Sequence, residues 1–193
     1  TPVGSVLADP AQQFILQRPR IAYMSATFDF SDRVVLVTGV GGALGSAVAD
    51  AFHEARATVC GVDVVDPDND DVLLDDPDRI DYYQADLTEE EAVANTVDAI
   101  ISEHGRLDYL ANVAGTWRGG DPVSETDVET FDLLFDVNLK TAFLASKHTL
   151  PHIRERAGAI VSVASRSSLE GGEGDALYRA SKAGVRLLTE SLA

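Results

Sequence analysis

Val34-Val35-Leu36-Val37-Thr38-Gly39-Val40-Gly41-Gly42-Ala43-Leu44-Gly45 is the stretch that decides the fold. Its first four residues are apolar and mostly β-branched, the composition of a strand buried on both faces. Glycines follow at once, and Ala43 to Ala55 then carries helical apolar spacing. A strand, a glycine-rich turn and a helix in that order let backbone amides approach a pyrophosphate, whose charge faces the helix N-terminus. Thr38, Gly39, Gly42, Leu44 and Gly45 are therefore candidate cofactor-binding residues.

The same alternation continues outward. Thr58–Val62, Ile80–Gln84, Leu107–Val113 and Ala159–Val163 read as further strands. Between them lie helical stretches at Glu89–His104, Ser124–Arg156 and Leu177–Leu192, the first two with acidic starts that face the helix dipole. Repeated strand–helix alternation predicts an α/β domain, a doubly wound parallel sheet covered on both faces. No internal repeat is visible.

Composition narrows the function. The chain has 193 residues, 45% apolar and 24% charged, which supports one globular domain with a real core. We place that domain at 29–193 and read 1–28 as a tail, with Met24 the expected true start. No run of about 18 apolar residues is present, so no membrane span is expected. The single cysteine, Cys60, rules out a disulfide framework and any cysteine-based zinc site on this reading, and fits a reducing cytosol. A net charge of −17 disfavours nucleic acid as a partner. Only 3 lysines stand against 12 arginines and 21 aspartates, the texture of a surface adapted to concentrated salt, so a halophilic source is expected.

Two apparent metal motifs are incomplete. The loop Asp66–Asp78 holds 7 aspartates, but a calcium loop begun at Asp66 would need Gly where Asp71 stands and Glu where Pro77 stands. His148 and His152 are four apart with Pro151 between them and no third ligand in evidence. No metal is expected.

Asp63 ends the second strand, where an acid can hydrogen-bond the ribose hydroxyls of an adenosine and repel a 2′-phosphate. NAD is thus the expected cofactor, with NADP possible. Tyr178 and Lys182 are spaced to share one face of the last helix. A tyrosine with an ordinary pKa near 10 becomes an acid/base near neutrality only if shifted by about 2–3 units, and an adjacent ammonium supplies such a shift.

Together these motifs resemble the short-chain dehydrogenase/reductase family, from about Asp29 to Ala193. The family's Thr-Gly-x3-Gly-x-Gly loop matches at Thr38, Gly39 and Gly45, with Ala43 in place of the middle glycine. Its Asn-Asn-Ala-Gly stretch reads Asn112-Val113-Ala114-Gly115, and its acid–apolar pair beside the adenine reads Asp86-Leu87. Asn138, Ser165, Tyr178 and Lys182 match its catalytic tetrad. The resemblance implies a Rossmann-like sheet of order 3-2-1-4-5, hydride transfer between NAD(P) and a secondary alcohol or ketone, and a homodimer or homotetramer. In that scheme Tyr178 exchanges the proton, Ser165 holds the substrate oxygen, Lys182 holds the nicotinamide ribose and lowers the Tyr178 pKa, and Asn138 anchors a relay water. A 3-oxoacyl thioester reductase is one activity of the family; a non-catalytic dinucleotide sensor or an inactive fragment are the rival readings. Trp117, Arg118, Arg166 and Glu170 lie near the expected substrate entrance without assigning a substrate. Ala193 falls inside the helix that carries Tyr178, so the sequence is expected to be a C-terminally truncated piece of a longer frame, with the family's last strands missing.

Overall fold

A computed structural model describes residues 27–74 and 76–193; the expected start at Met24 and nearly all of the 1–28 tail lie outside them. Five parallel strands, β1 (Val34–Thr38), β2 (Thr58–Asp63), β3 (Asp81–Gln84), β4 (Tyr109–Asn112) and β5 (Ala159–Ser162), form one sheet of order β3-β2-β1-β4-β5. The helices are α1 (Ala43–Glu54), α2 (Glu90–His104), α3 (Val128–Phe135), α4 (Thr141–Glu155) and α5 (Ala176–Leu192). This is the doubly wound α/β sheet expected from the alternation.

Side-chain period on the central strand explains the two layers. Val34 and Leu36 point into a core with Val93, Val97 and Ile100 of α2 and Leu144 of α4. Val35 and Val37 point the other way, against Ala49 of α1, with Val48, Phe30 and Phe52 packed behind. Because both faces are covered, β1 reads as a continuous apolar run and all five residues are buried.

Asp108 locks the start of the sheet. It is 1% exposed, accepts the Val34 N–H at 3.0 Å, and pairs with Arg33 at 3.1 Å and Arg106 at 2.6 Å. Burial pushes its carboxyl up, but those hydrogen bonds and guanidinium charges outweigh burial and hold it below the usual 3.8.

The expected long helix at 124–156 is the main correction. It begins only at Val128, because Asp127 caps it by accepting the Thr130 N–H at 2.7 Å, so Glu125 lies before the helix. A π-helical turn at Asp136–Lys140 then separates α3 from α4 and carries Asn138. Pro151 sits inside α4 without ending it. The fourth strand is also shorter than expected, and the acidic loop returns to the glycine turn through Leu73 N–H on the Gly41 carbonyl at 2.8 Å.

Candidate functional site

Close approach explains the glycine loop. Gly39 has φ +68, and a Cβ there would lie 2.7 Å from Ala114 Cα. A Cβ on Gly45 would lie 2.0 Å from the Gly39 carbonyl oxygen, so α1 can start this near the turn only with glycine. Thr38 works beneath the turn: its Oγ1 accepts the N–H groups of Val113 (2.9 Å) and Ala114 (3.0 Å), tying the ends of β1 and β4 together. The Asp63 carboxylate accepts the Gly41 N–H at 2.9 Å and the Val65 N–H at 3.2 Å. It therefore stands beside the turn, as its place in the sequence suggested.

A cleft of about 650 Å³ opens above these residues. Gly39, Gly42, Leu44 and Gly45 form its floor at the start of α1, with Ala43 among them. Asp63, Asp86 and Leu87 line one side, and Ala114 and Gly115 lie beyond. Asp86 is held by the backbone N–H and hydroxyl of Thr88, at 2.9 and 2.7 Å. Sequence reasoning missed Val64, Ala85, Thr88 and Val137 as lining residues, for which loop position beyond a strand end was the available signal. Asn112 lies outside the cleft lining: it is 4% exposed, and its amide donates to Ser146 (3.1 Å) and Ser162 (3.3 Å), bridging α4 and β5.

At Gly115 the cleft meets Lys182 and Asn138. A Cβ there would lie 2.8 Å from Lys182 Nζ and 2.9 Å from Asn138 Oδ1, so both side chains use space that only glycine leaves. Lys182 is 4% exposed and donates to the Val163 carbonyl at 3.0 Å. Burial pushes its ammonium pKa down. Asn138, set by the π turn, accepts the Thr116 N–H at 2.8 Å and donates to Ser181 Oγ at 3.0 Å. Ser181, which the sequence reading overlooked, donates in turn to the Tyr178 carbonyl at 2.9 Å.

Ser165 lies just beyond β5, outside the lining of the cleft. It begins a 3₁₀ turn at Arg166–Leu169, and its Oγ lies 2.8 Å from Ser167 Oγ while accepting the Ser167 N–H. Arg179, adjacent to Tyr178, clasps this segment to α5: it pairs with Asp175 and donates to the carbonyls of Ser167 (3.4 Å) and Glu170 (2.9 Å). Trp117, 62% exposed, borders a wider depression of about 950 Å³ with Gly172–Ala176.

The family model for short chain dehydrogenase matches residues 33–193. The chain belongs to the short chain dehydrogenase family. It is 32% identical over 165 residues to a 3-oxoacyl-(acyl-carrier-protein) reductase of Thermotoga maritima, covering 83% of this chain and 67% of that protein. It is 34% identical over 169 residues to a cyclopentanol dehydrogenase of a Comamonas strain, covering 84% of this chain and 66% of the relative. Among solved structures, the ligand-free aldohexose dehydrogenase of Thermoplasma acidophilum superposes with a TM-score of 0.76 at 28% identity, covering 85% of this chain and 61% of that one. The chain thus spans about two thirds of the length of these family members. Among the described residues no helix is long and apolar enough to cross a membrane.

Proposed function

We propose that this short chain dehydrogenase interconverts a secondary alcohol and a ketone by hydride transfer with NAD. The observation that carries the reading is the junction at Gly115, where the dinucleotide-sized cleft ends against Lys182 Nζ and Asn138 Oδ1. The residues present fit the cofactor. Glycines leave room for a pyrophosphate at the start of α1, and Asp63 and Asp86 offer acceptors to ribose and adenine.

When bound, the nicotinamide supplies or takes the hydride. The protein supplies the proton chemistry. Tyr178 gives a proton to the carbonyl oxygen in reduction and takes it back in oxidation. Ser165 Oγ donates a hydrogen bond to that oxygen as negative charge develops, turning from Ser167 to do so. Lys182, one donor committed to Val163, keeps two N–H groups for the nicotinamide ribose and for stabilising the Tyr178 phenolate. Asn138, whose Oδ1 borders the same space at Gly115 as that ammonium, anchors a water that relays protons from behind it.

Asp63 supports NAD over NADP, since no basic residue stands in the glycine turn to offset its charge against a 2′-phosphate. Phe131, Phe143 and Leu187, 42, 47 and 52% exposed on α3, α4 and α5, support pairing into a homodimer or homotetramer. Fluorescence titration tests the cofactor: NADH should bind at least about tenfold more tightly than NADPH. Asp63→Ala with Val64→Arg should reverse the order, and unchanged relative affinities would remove Asp63 from the account.

A further inference from the structure

Cys60, Asp81 and His104 meet on the face of the sheet that α2 covers, and none of the three lines the cofactor cleft. Cys60 and Asp81 are register partners on β2 and β3, which puts their side chains side by side on that face. His104 is the last residue of α2, fixed there by the left-handed Gly105 cap at φ +70. One ligand atom from each lies within 4.8 Å of the other two.

Their geometry is unusual for an ordinary ion pair. His104 Nε2 lies 3.4 Å from Asp81 Oδ2, yet it is buried and has no hydrogen-bond partner. A tetrahedral zinc ion with bonds of about 2.0–2.2 Å to nitrogen and oxygen and about 2.3 Å to sulfur separates its ligand atoms by roughly 3.3–3.6 Å. The nitrogen–oxygen gap already equals such an edge. The Cys60 sulfur, fully buried, has to close by about 1.2 Å at most, as judged from the 4.8 Å limit on the cluster.

We propose that Cys60, Asp81 and His104 form a binding site for zinc, with a solvent molecule as the fourth ligand. Mixed sulfur, nitrogen and oxygen donors suit a borderline-soft ion and disfavour calcium and magnesium, which take oxygen ligands. Asp81, 43% exposed at its side chain, opens the site to solvent, while Cys60 and His104 close it from inside. Bound there, the ion ties β2, β3 and the end of α2 together on the layer opposite α1. A cysteine count of one suggested no cysteine-based zinc site and no metal; a three-ligand site that takes a single thiolate departs from that expectation.

Cobalt(II) is the probe, because thiolate ligation gives a near-ultraviolet charge-transfer band that carboxylate binding does not. Titration of the purified protein should give one equivalent with that band, and zinc should displace it. Cys60→Ala should abolish the band, and His104→Gln and Asp81→Asn should each weaken binding by at least about 10-fold; the Asp81 change lies at the surface and leaves the core intact. Cobalt uptake without the band would assign the ion to surface carboxylates such as those at Asp66–Asp78 and overturn the site. No uptake, or a band unaffected in the His104 and Asp81 variants, would overturn it equally.

Discussion

Gly115→Ala puts one methyl group between the two most constrained side chains of the site. Its carbon would lie 2.8 Å from Lys182 Nζ and 2.9 Å from Asn138 Oδ1, about 0.6 Å inside ordinary contact. Neither neighbour can withdraw cheaply. Lys182 is 4% exposed and bonded to the Val163 carbonyl, and Asn138 is 1% exposed and held by Thr116 and Ser181. Overpacking of this kind costs about 1–3 kcal/mol, and at about 2–4 °C per kcal/mol for a domain of this size a melting temperature lower by about 2–12 °C is expected. In the proposed mechanism the displaced ammonium serves the reacting centre, where a shift near 1 Å costs about 100-fold in rate. Thermal melts and initial rates on the variant, beside Gly171→Ala as a control that meets nothing within 4 Å, read both effects. Wild-type melting and turnover in Gly115→Ala would refute the packing argument at the junction.

Two other outcomes follow from the same geometry. Asp108→Asn should lower stability near neutral pH by about 2–3 kcal/mol in denaturant unfolding, since it leaves Arg33 and Arg106 with a weakened partner. Because the Asp108 carboxyl is held below its usual 3.8, its charge stabilises the fold fully above that pH, and the variant's deficit should shrink as pH falls through the lowered value. Arg179→Ala should cut kcat about tenfold while leaving the dissociation constant for NADH unchanged, because it frees the segment carrying Ser165 and touches no cleft residue; a purely structural role would lower melting temperature without that kinetic split.

The layered sheet was legible because local signals agreed. Val34–Val37, the glycines and the Ala43 helix each imply the same unit, and both faces of β1 proved buried. Gly39 and Gly45 were legible for a related reason: close backbone approach admits no other residue there. What stayed hidden depends on contacts between remote segments. The break in the 124–156 helix comes from one capping carboxylate at Asp127 and a π turn around Asn138, and neither disturbs the apolar spacing enough to show. The carbonyl partners of Arg179 lie 9 and 12 residues away, and the Tyr178–Lys182 spacing does not encode them. Cys60, Asp81 and His104 are far apart in sequence and meet only through the β2–β3 register and the length of α2.

The central claim is that Tyr178 moves the proton in an NAD-linked reaction at this site. Measuring turnover and NADH affinity together in Tyr178→Phe tests it most directly, with a panel of cyclic and aliphatic secondary alcohols and ketones as substrates. Loss of the hydroxyl should lower kcat by about 10²–10⁴-fold against an active wild type while NADH binding stays within about twofold. Wild-type turnover in the variant would contradict the assignment of Tyr178, and binding of NADH without turnover in the wild type across the panel would contradict the reading of the chain as an enzyme.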